Sequence, residues 1–159
     1  MSLPRIQLQT ARLLMRPWRL TEVDDAYAYG SDPEWGWYLW NVPQPYTRED
    51  AEAFVRSAVD DTSEDRLQLA IELDGRVIGG VRLYIIDKSA RVAGIGYNIG
   101  VAFWNRGYAT EAASAALDHA FSAVGLRRVR AEADARNHSS IRVMQKLGMT
   151  EEPSRQGAT

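Results

Sequence analysis

Alternation and helical periodicity divide the chain into short segments of two kinds. Residues 10–18, TARLLMRPW, place Leu13 and Met15 on one side and Leu14 on the other, which predicts an opening strand that Pro17 ends. Thr21 with Asp24 marks a helix start and predicts a short helix over about residues 22–29. Thr47 with Asp50 repeats that signal. Ala51, Phe54, Val55, Ala58 and Val59 then follow the spacing of a one-sided helix over about 48–61. From 66 to 73, Leu67, Leu69, Ile71 and Leu73 share one face of a strand. Asp74-Gly75 is a tight hairpin signal, and 76–86 is the partner strand. Gly79-Gly80 inside it marks a bulge or a close backbone approach. A third strand is predicted at 91–101. An Ala-rich helix follows at about 106–124, with an apolar stripe of Ala109, Ala113, Ala116, Leu117, Ala120 and Phe121, and Gly125 at its end. Residues 127–134 read as a last strand. Asn137 caps a final helix, about 138–147, that Gly148 stops. The order β, α, α, hairpin, β, α, β, α predicts one α+β domain over residues 1–159 with a mixed sheet. The two strands flanking the Ala-rich helix would be parallel, joined by a right-handed crossover.

Composition narrows the function classes. Of the 159 residues, 45% are hydrophobic and 25% charged, as in ordinary globular domains. No apolar run approaches the roughly 18 residues of a membrane span, and MSLPRIQLQ at the N-terminus has no signal-peptide core. A cytoplasmic protein without membrane partners is expected. The absence of cysteine removes thiolate metal sites and a Cys nucleophile. With only two histidines, far apart in sequence, no metal site is expected. A net charge of −2 argues against a nucleic-acid partner, which needs a basic stripe.

Two stretches carry candidate chemistry. The first is FWNRGYATEAA, residues 103–113, a loop running into the Ala-rich helix. Unpaired N–H groups and the helix dipole favour a polyanion at such a junction. Gly107 would let the backbone approach a phosphate and Arg106 would add charge. An ordinary loop before an ordinary helix fits the same residues. The second is DPEWGWYLWNVPQPYT, residues 32–47, dense in aromatic rings and proline. Trp35, Trp37, Trp40 and Tyr46 would either line an acceptor pocket or cover an edge of the core. Asp32 and Glu34 beside them would attract a cation or simply favour a helix start.

Taken together, GYNIGVAFWNRGYATEA, GLRRV and NHSSIRVMQKLGM, in that order and spacing, resemble the GNAT acyl-CoA N-acyltransferases. TARLLMRPW and the aromatic stretch resemble the branch of the ribosomal-protein N-alpha-acetyltransferases. The resemblance covers about residues 10–150. It implies a mostly antiparallel sheet, flanked by helices in α/β/α layers, whose central parallel strands splay apart. It implies acetyl-CoA as cosubstrate and an amine as partner: a protein N-terminal α-amine, or a small amine such as a polyamine or an antibiotic. Backbone groups at Ile99 and Val101 would pair with the pantetheine arm. Arg106, Gly107, Tyr108, Ala109 and Thr110 would hold the pyrophosphate. Asn137 and Ser140 would reach the arm and the sulfur end. Ser140 is the candidate to protonate the leaving sulfur, against a helix-capping role. Tyr97 is a second candidate, against core packing.

The chain also departs from the pattern it resembles. Relatives commonly carry Glu where this chain has Gly94, so a water-mediated base from that position is absent. Glu132 would substitute, unless it is a solvated strand carboxylate. After KLG the chain ends EEPSRQGAT, polar and interrupted by Pro153, so the family's last strand is expected to be missing. An exposed sheet edge of that kind invites a homodimer. These departures leave open a CoA-binding module with little or no turnover.

Overall fold

The computed structural model describes residues 1–39 and 42–152. At its centre, six strands lie side by side in chain order: β1 (Leu8–Gln9), β2 (Leu14–Pro17), β3 (Arg66–Leu73), β4 (Arg76–Asp87), β5 (Val92–Ile99) and β6 (Arg128–Arg130). All neighbours are antiparallel except β5 and β6, which are parallel across the predicted crossover. Five helices flank them: α1 (Val23–Gly30), α2 (Pro33–Gly36), α3 (Arg48–Asp60), α4 (Tyr108–Asp118) and α5 (His138–Lys146). None of the described helices is long and apolar enough to cross a membrane.

Local chemistry accounts for most element ends. The β3–β4 hairpin turns on Asp74 and Gly75, at φ 50° and 83°. At α3, Thr47 Oγ1 accepts from the Asp50 N–H at 3.2 Å, while Asp50 Oδ2 accepts from the Thr47 N–H at 2.8 Å. Thr21 makes no such cap. Instead, a short turn, Leu20–Glu22, precedes α1, and Glu22 accepts from the Arg19 N–H at 2.7 Å. The double glycine of β4 sits beside a bulge. Ile71 pairs with Gly79 and Glu72 with Val77, which leaves Ile78 as the extra residue.

The sheet buries two different faces. One carries Met15, Leu69, Val81, Leu83, Ala93, Ile95 and Ile99 against Ala112, Ala113, Ala116 and Ala120 of the α4 segment. Alanines there let the helix lie close to the strands. The opposite face packs Trp18, Ala70 and Val77 against α1 and α3 through Ala26, Ala51, Val55 and Ala58. Phe54 lies at its rim, edge-on to Trp18 at 5.2 Å. At the β2–β3 side, buried Arg16 binds both Glu22 and Glu72, its Nε 3.0 Å from Glu72 Oε1.

Three segments differ from the periodicity. The long helix begins at Tyr108, and its last turns, His119–Val124, widen into π winding before Gly125 ends it at φ 82°. This widening rotates Phe121 out of the stripe; it is exposed, while Ala120 stays buried. β5 ends at Ile99: Gly100 still donates to Ile78 C=O at 2.7 Å, and the chain then coils through Val101–Phe103. The last strand is three residues long, Arg128–Arg130, and stops short of the predicted 134. Its ladder runs Val92–Arg128, Ala93–Val129, Gly94–Arg130 and ends there. Beyond Gly94, β5 stays with β4 and leaves 131–134 without a partner.

Candidate active site

The end of the β5–β6 ladder makes the site. β5 continues for five residues past Gly94 with one edge unpaired by β6. Its peptide groups alternate in direction, so the peptide whose N–H (Gly100) reaches β4 turns its C=O (Ile99) to the open edge. That carbonyl already accepts from Trp104 Nε1 at 2.7 Å. One lone pair of Ile99 is therefore occupied, and its second remains. Val101 lies in the turn after the strand, its C=O taken by the Trp104 N–H at 3.1 Å. At Val101, only the N–H is left for a ligand to pair with.

The α4 N-terminus lies just past this edge. Gly107 occupies the capping position at φ 81°, and no side chain caps the helix. Asn105 is also left-handed, at φ 62°. Such a run turns successive N–H groups toward one concavity, which favours an anion. Tyr108, Ala109 and Thr110 form the first turn, and Arg106 is exposed in the loop. The fold adds a residue the sequence did not nominate. Arg12 reaches over from the start of the chain. Its Nη2 lies 3.4 Å from where a Cβ on Gly107 would stand. Its Nη1 donates to Arg106 C=O at 3.0 Å and its Nε to Glu111 at 2.7 Å, with the guanidinium 4.4 Å from the Tyr108 ring centre. Glu111, in the first turn of α4, was the available signal: a carboxylate beside an anion site needs a cation. Arg12→Ala is expected to weaken acetyl-CoA binding about tenfold, since a charge-assisted contact is worth roughly 1.5–3 kcal/mol. Calorimetric titration would measure it, and unchanged affinity would place Arg12 outside the site.

Tyr97 and Ser140, nominated separately and 43 positions apart in sequence, come together. Tyr97 OH lies 3.1 Å from Ser140 Oγ and also 3.1 Å from Ser140 C=O. Asn137 Oδ1 accepts from the Ser140 N–H at 3.1 Å. The cap of α5 therefore belongs to Asn137 and uses the Ser140 backbone, which leaves the Ser140 hydroxyl to Tyr97. Burial pushes the Tyr97 phenol above its ordinary range, against the opposing effect of its bond to Ser140. Tyr97 stays protonated at neutral pH.

The aromatic stretch divides. Trp35 is buried, edge-on to Tyr29 at 5.3 Å and to Tyr46 at 5.4 Å. Burial raises the Tyr46 phenol to about 12. Trp37 stands apart from this cluster, 62% exposed, and Trp40 lies outside the described residues. Asp32 caps α2, accepting from the Glu34 N–H at 3.0 Å. The Arg136 guanidinium lies 5.3 Å from the Tyr38 ring centre. It also holds the carboxyl of Asp134 at about 2.

Glu132 is not on a strand, because β6 ends at Arg130. Its side chain is exposed and makes no hydrogen bond or ion pair among the described residues. The place of Gly94 is filled rather than vacant. A Cβ there would lie 2.1 Å from Tyr84 Cζ and 2.4 Å from the Tyr84 hydroxyl oxygen. Gly94→Glu is therefore expected to destabilise the fold by about 1–3 kcal/mol through overpacking. The same change in a Tyr84→Ala background should cost markedly less, because the two sites share one space. Urea unfolding of the four proteins would show it, and additive effects would refute the shared space.

Known proteins resemble this chain in sequence and fold. The model of the acetyltransferase (GNAT) domain matches residues 12–150. The uncharacterized N-acetyltransferase p20 of Bacillus licheniformis is 30% identical over 149 residues, covering 91% of this chain and 83% of the relative. Spermidine N(1)-acetyltransferase of Escherichia coli K12 is 30% identical over 118 residues, covering 70% and 62%. A GNAT-family acetyltransferase structure from Bacillus anthracis superposes with a TM-score of 0.82 at 26% identity, over 93% of this chain and 86% of that one. RimJ of Mycobacterium smegmatis, solved with CoA-disulfide, shares the fold at a TM-score of 0.74 and 22% identity, over 96% and 77%. The chain belongs to the GNAT acetyltransferase family, whose cosubstrate is acetyl-CoA.

Proposed function

We propose that this protein transfers the acetyl group of acetyl-CoA to a primary amine by direct attack, with a peptide N-terminal α-amine as acceptor. The observation that carries the reading is the end of the β5–β6 ladder at Gly94–Arg130, between an uncapped α4 N-terminus and the Tyr97–Ser140 pair. The residues fit the cosubstrate along its length. Arg106, Gly107, Tyr108, Ala109 and Thr110, with Arg12, would hold the pyrophosphate. The open edge of β5 near Ile99 would hold the pantetheine arm, and Asn137 and Ser140 the sulfur end.

The cosubstrate supplies a thioester whose carbonyl carbon takes the amine and whose sulfur leaves. A carbon–nitrogen bond forms, the carbon–sulfur bond breaks, the amine gives up a proton and the sulfur takes one. A backbone donor aimed at the carbonyl oxygen is worth on the order of 10²–10³ in rate. Fixing amine and thioester in one geometry contributes up to roughly 7–11 kcal/mol. A peptide α-amine has a pKa of about 7.7–8.0, so much of it is neutral near physiological pH. A strong base is then unnecessary, which suits a chain with Gly94 in place of Glu. Ser140 would give the departing sulfur its proton, with Tyr97 hydrogen-bonded behind it.

The test is an acceptor screen. The protein is incubated with acetyl-CoA and a panel of peptides and small amines while free thiol is followed and products are weighed by mass spectrometry. Acetylated peptide α-amines support the reading. Acetylated polyamines alone would move the acceptor toward that of the spermidine enzyme. Tight CoA binding without thiol release from any amine would make the protein a CoA-binding module.

A further inference from the structure

β5 raises almost nothing on the face away from α4. The face toward α4 carries Ala93, Ile95, Tyr97 and Ile99. By alternation, the opposite face carries Gly94, Gly96, Asn98 and Gly100. Asn98 is the only side chain in that row, and its amide oxygen is buried without a hydrogen-bond partner. Tyr29 of the Trp35 and Tyr46 cluster closes one end of the row, its Cβ 2.7 Å from where a Cβ on Gly100 would stand. On the other face α4 packs on the strands and Tyr97 meets Ser140 of α5, so this row is the side of β5 left to an acceptor.

Two guanidinium groups stand on this face near the point where β5 and β6 part. Arg82 of β4 lies over Gly96, with its Nε 3.1 Å from where a Cβ on Gly96 would stand. Gly96 comes two residues after Gly94, the last β5 position paired to β6. Arg82 therefore leans toward the gap where the strands part. Arg130 of β6 shares the row of Tyr84 and Gly94, and its Nε is buried without a partner. Tyr84 stands between them, its ring centre 5.2 Å from the Arg82 guanidinium. Of the nearby acids, Asp61 binds Arg66 and Gln68 and Glu152 binds Arg128, while Glu132, two residues past Arg130, is exposed and pairs with neither arginine. Among the described residues neither Arg82 nor Arg130 has a carboxylate within ion-pair distance.

The geometry points to an acceptor that carries an anionic group, a carboxylate or phosphate, close to its reactive amine. This deepens the reading of an amine acetyltransferase and rests on it. Arg82 binds the anion through its planar fork of donors. Asn98 accepts a hydrogen bond from the amine, which satisfies an oxygen that is otherwise buried unpaired. The guanidinium has a second consequence. A nearby positive charge disfavours the ammonium form of the acceptor and so favours the nucleophile. The space beside Gly94 is taken by Tyr84, with Arg82 against its ring and Arg130 in the same row. A polycation such as spermidine would meet like charge on this face.

The experiment compares matched acceptors in steady state at constant ionic strength. The pairs are peptides with Glu or Gln after the N-terminal residue, and phosphoethanolamine against ethanolamine, with spermidine as the cationic member. The expected result is a kcat/KM at least tenfold higher for the anionic member of one pair. The peptide pair and the small-amine pair distinguish which source supplies the anion. Arg82→Gln should collapse that ratio toward one, mainly through KM for the anionic acceptor, and Arg82→Lys should restore part of it. Asn98→Ala should raise KM for charged and neutral acceptors alike. Equal rates within both pairs, spermidine as the best substrate, or a ratio unchanged in Arg82→Gln with a native melting curve would overturn the inference. None of those outcomes touches acetyl transfer itself, which fails only if no amine releases thiol.

Discussion

Gly107→Glu is expected to remove measurable acetyl-CoA binding, a loss of at least about 100-fold in affinity. Three effects act together. The backbone at 107 is left-handed, at φ 81°, which a side chain disfavours by roughly 1–2 kcal/mol, so the variant's free loop relaxes out of this shape and must regain it to bind. The new side chain covers the N–H groups that α4 leaves uncapped. Its carboxylate also stands beside Arg12, whose Nη2 is 3.4 Å from the new Cβ, and takes up a cation that the phosphates would otherwise use. A total near 3 kcal/mol corresponds to about 100-fold. The fold itself should survive, because the position is exposed and an acidic group favours a helix N-terminus. Gly107→Ala keeps the strain without the charge and should cost about tenfold. Titration calorimetry with acetyl-CoA, alongside melting curves, separates these terms. Native affinity in the Glu variant would remove the phosphates from this loop.

That loop was legible in the sequence because its determinants are local. A glycine before an Ala-rich amphipathic run, with an arginine beside it, specifies a helix start and its charge without help from the rest of the chain. The same holds for the Asp74-Gly75 turn, the Thr47 and Asp50 cap, and the strand over 66–73. What periodicity missed depends on distant partners. Residues 131–134 have strand-like alternation, but a strand needs a neighbour, and β5 leaves them at Gly94. Phe121 has the right spacing for a buried stripe, and π winding turns it outward. Gly94 read as a missing carboxylate, because nothing local says that Tyr84, ten residues earlier, folds across it. Arg12 and Glu111 are 99 positions apart, and only the packing of the first strands against α4 brings that guanidinium to the α4 N-terminus. Within the candidate site, Tyr97 and Ser140 were each found from the family pattern; their contact is a property of the fold.

Ser140→Ala is expected to lower kcat by about 10- to 100-fold while changing the KM for acetyl-CoA by less than about threefold. A well-placed general acid contributes roughly 10²–10⁴. The lower end applies here, because a thiolate is a good leaving group that needs less help from an acid than an alkoxide or an amine does. The variant should melt as the native protein does, since Asn137 caps α5 through the Ser140 backbone N–H rather than the hydroxyl. Tyr97→Phe should lose a similar factor if the phenol supports the serine as donor, and the double variant should then lose little more. The pH profile provides a second readout. The active forms are the neutral amine and the protonated hydroxyls. The amine deprotonates through about 7.7–8.0 and makes kcat/KM rise. The Tyr97 phenol is raised by burial, so its protonated window extends upward, beyond the ordinary tyrosine value of about 10. The profile should therefore rise to a plateau with no falling limb below about pH 10, and Ser140→Ala should lower that plateau without moving the midpoint. A falling limb between pH 8 and 9 that disappears in Tyr97→Phe would mean the phenol titrates low, and the proton would then have to reach the sulfur by another route. An intact kcat in Ser140→Ala would send it directly from solvent, leaving Tyr97 and Ser140 to orient α5 against the open edge of β5.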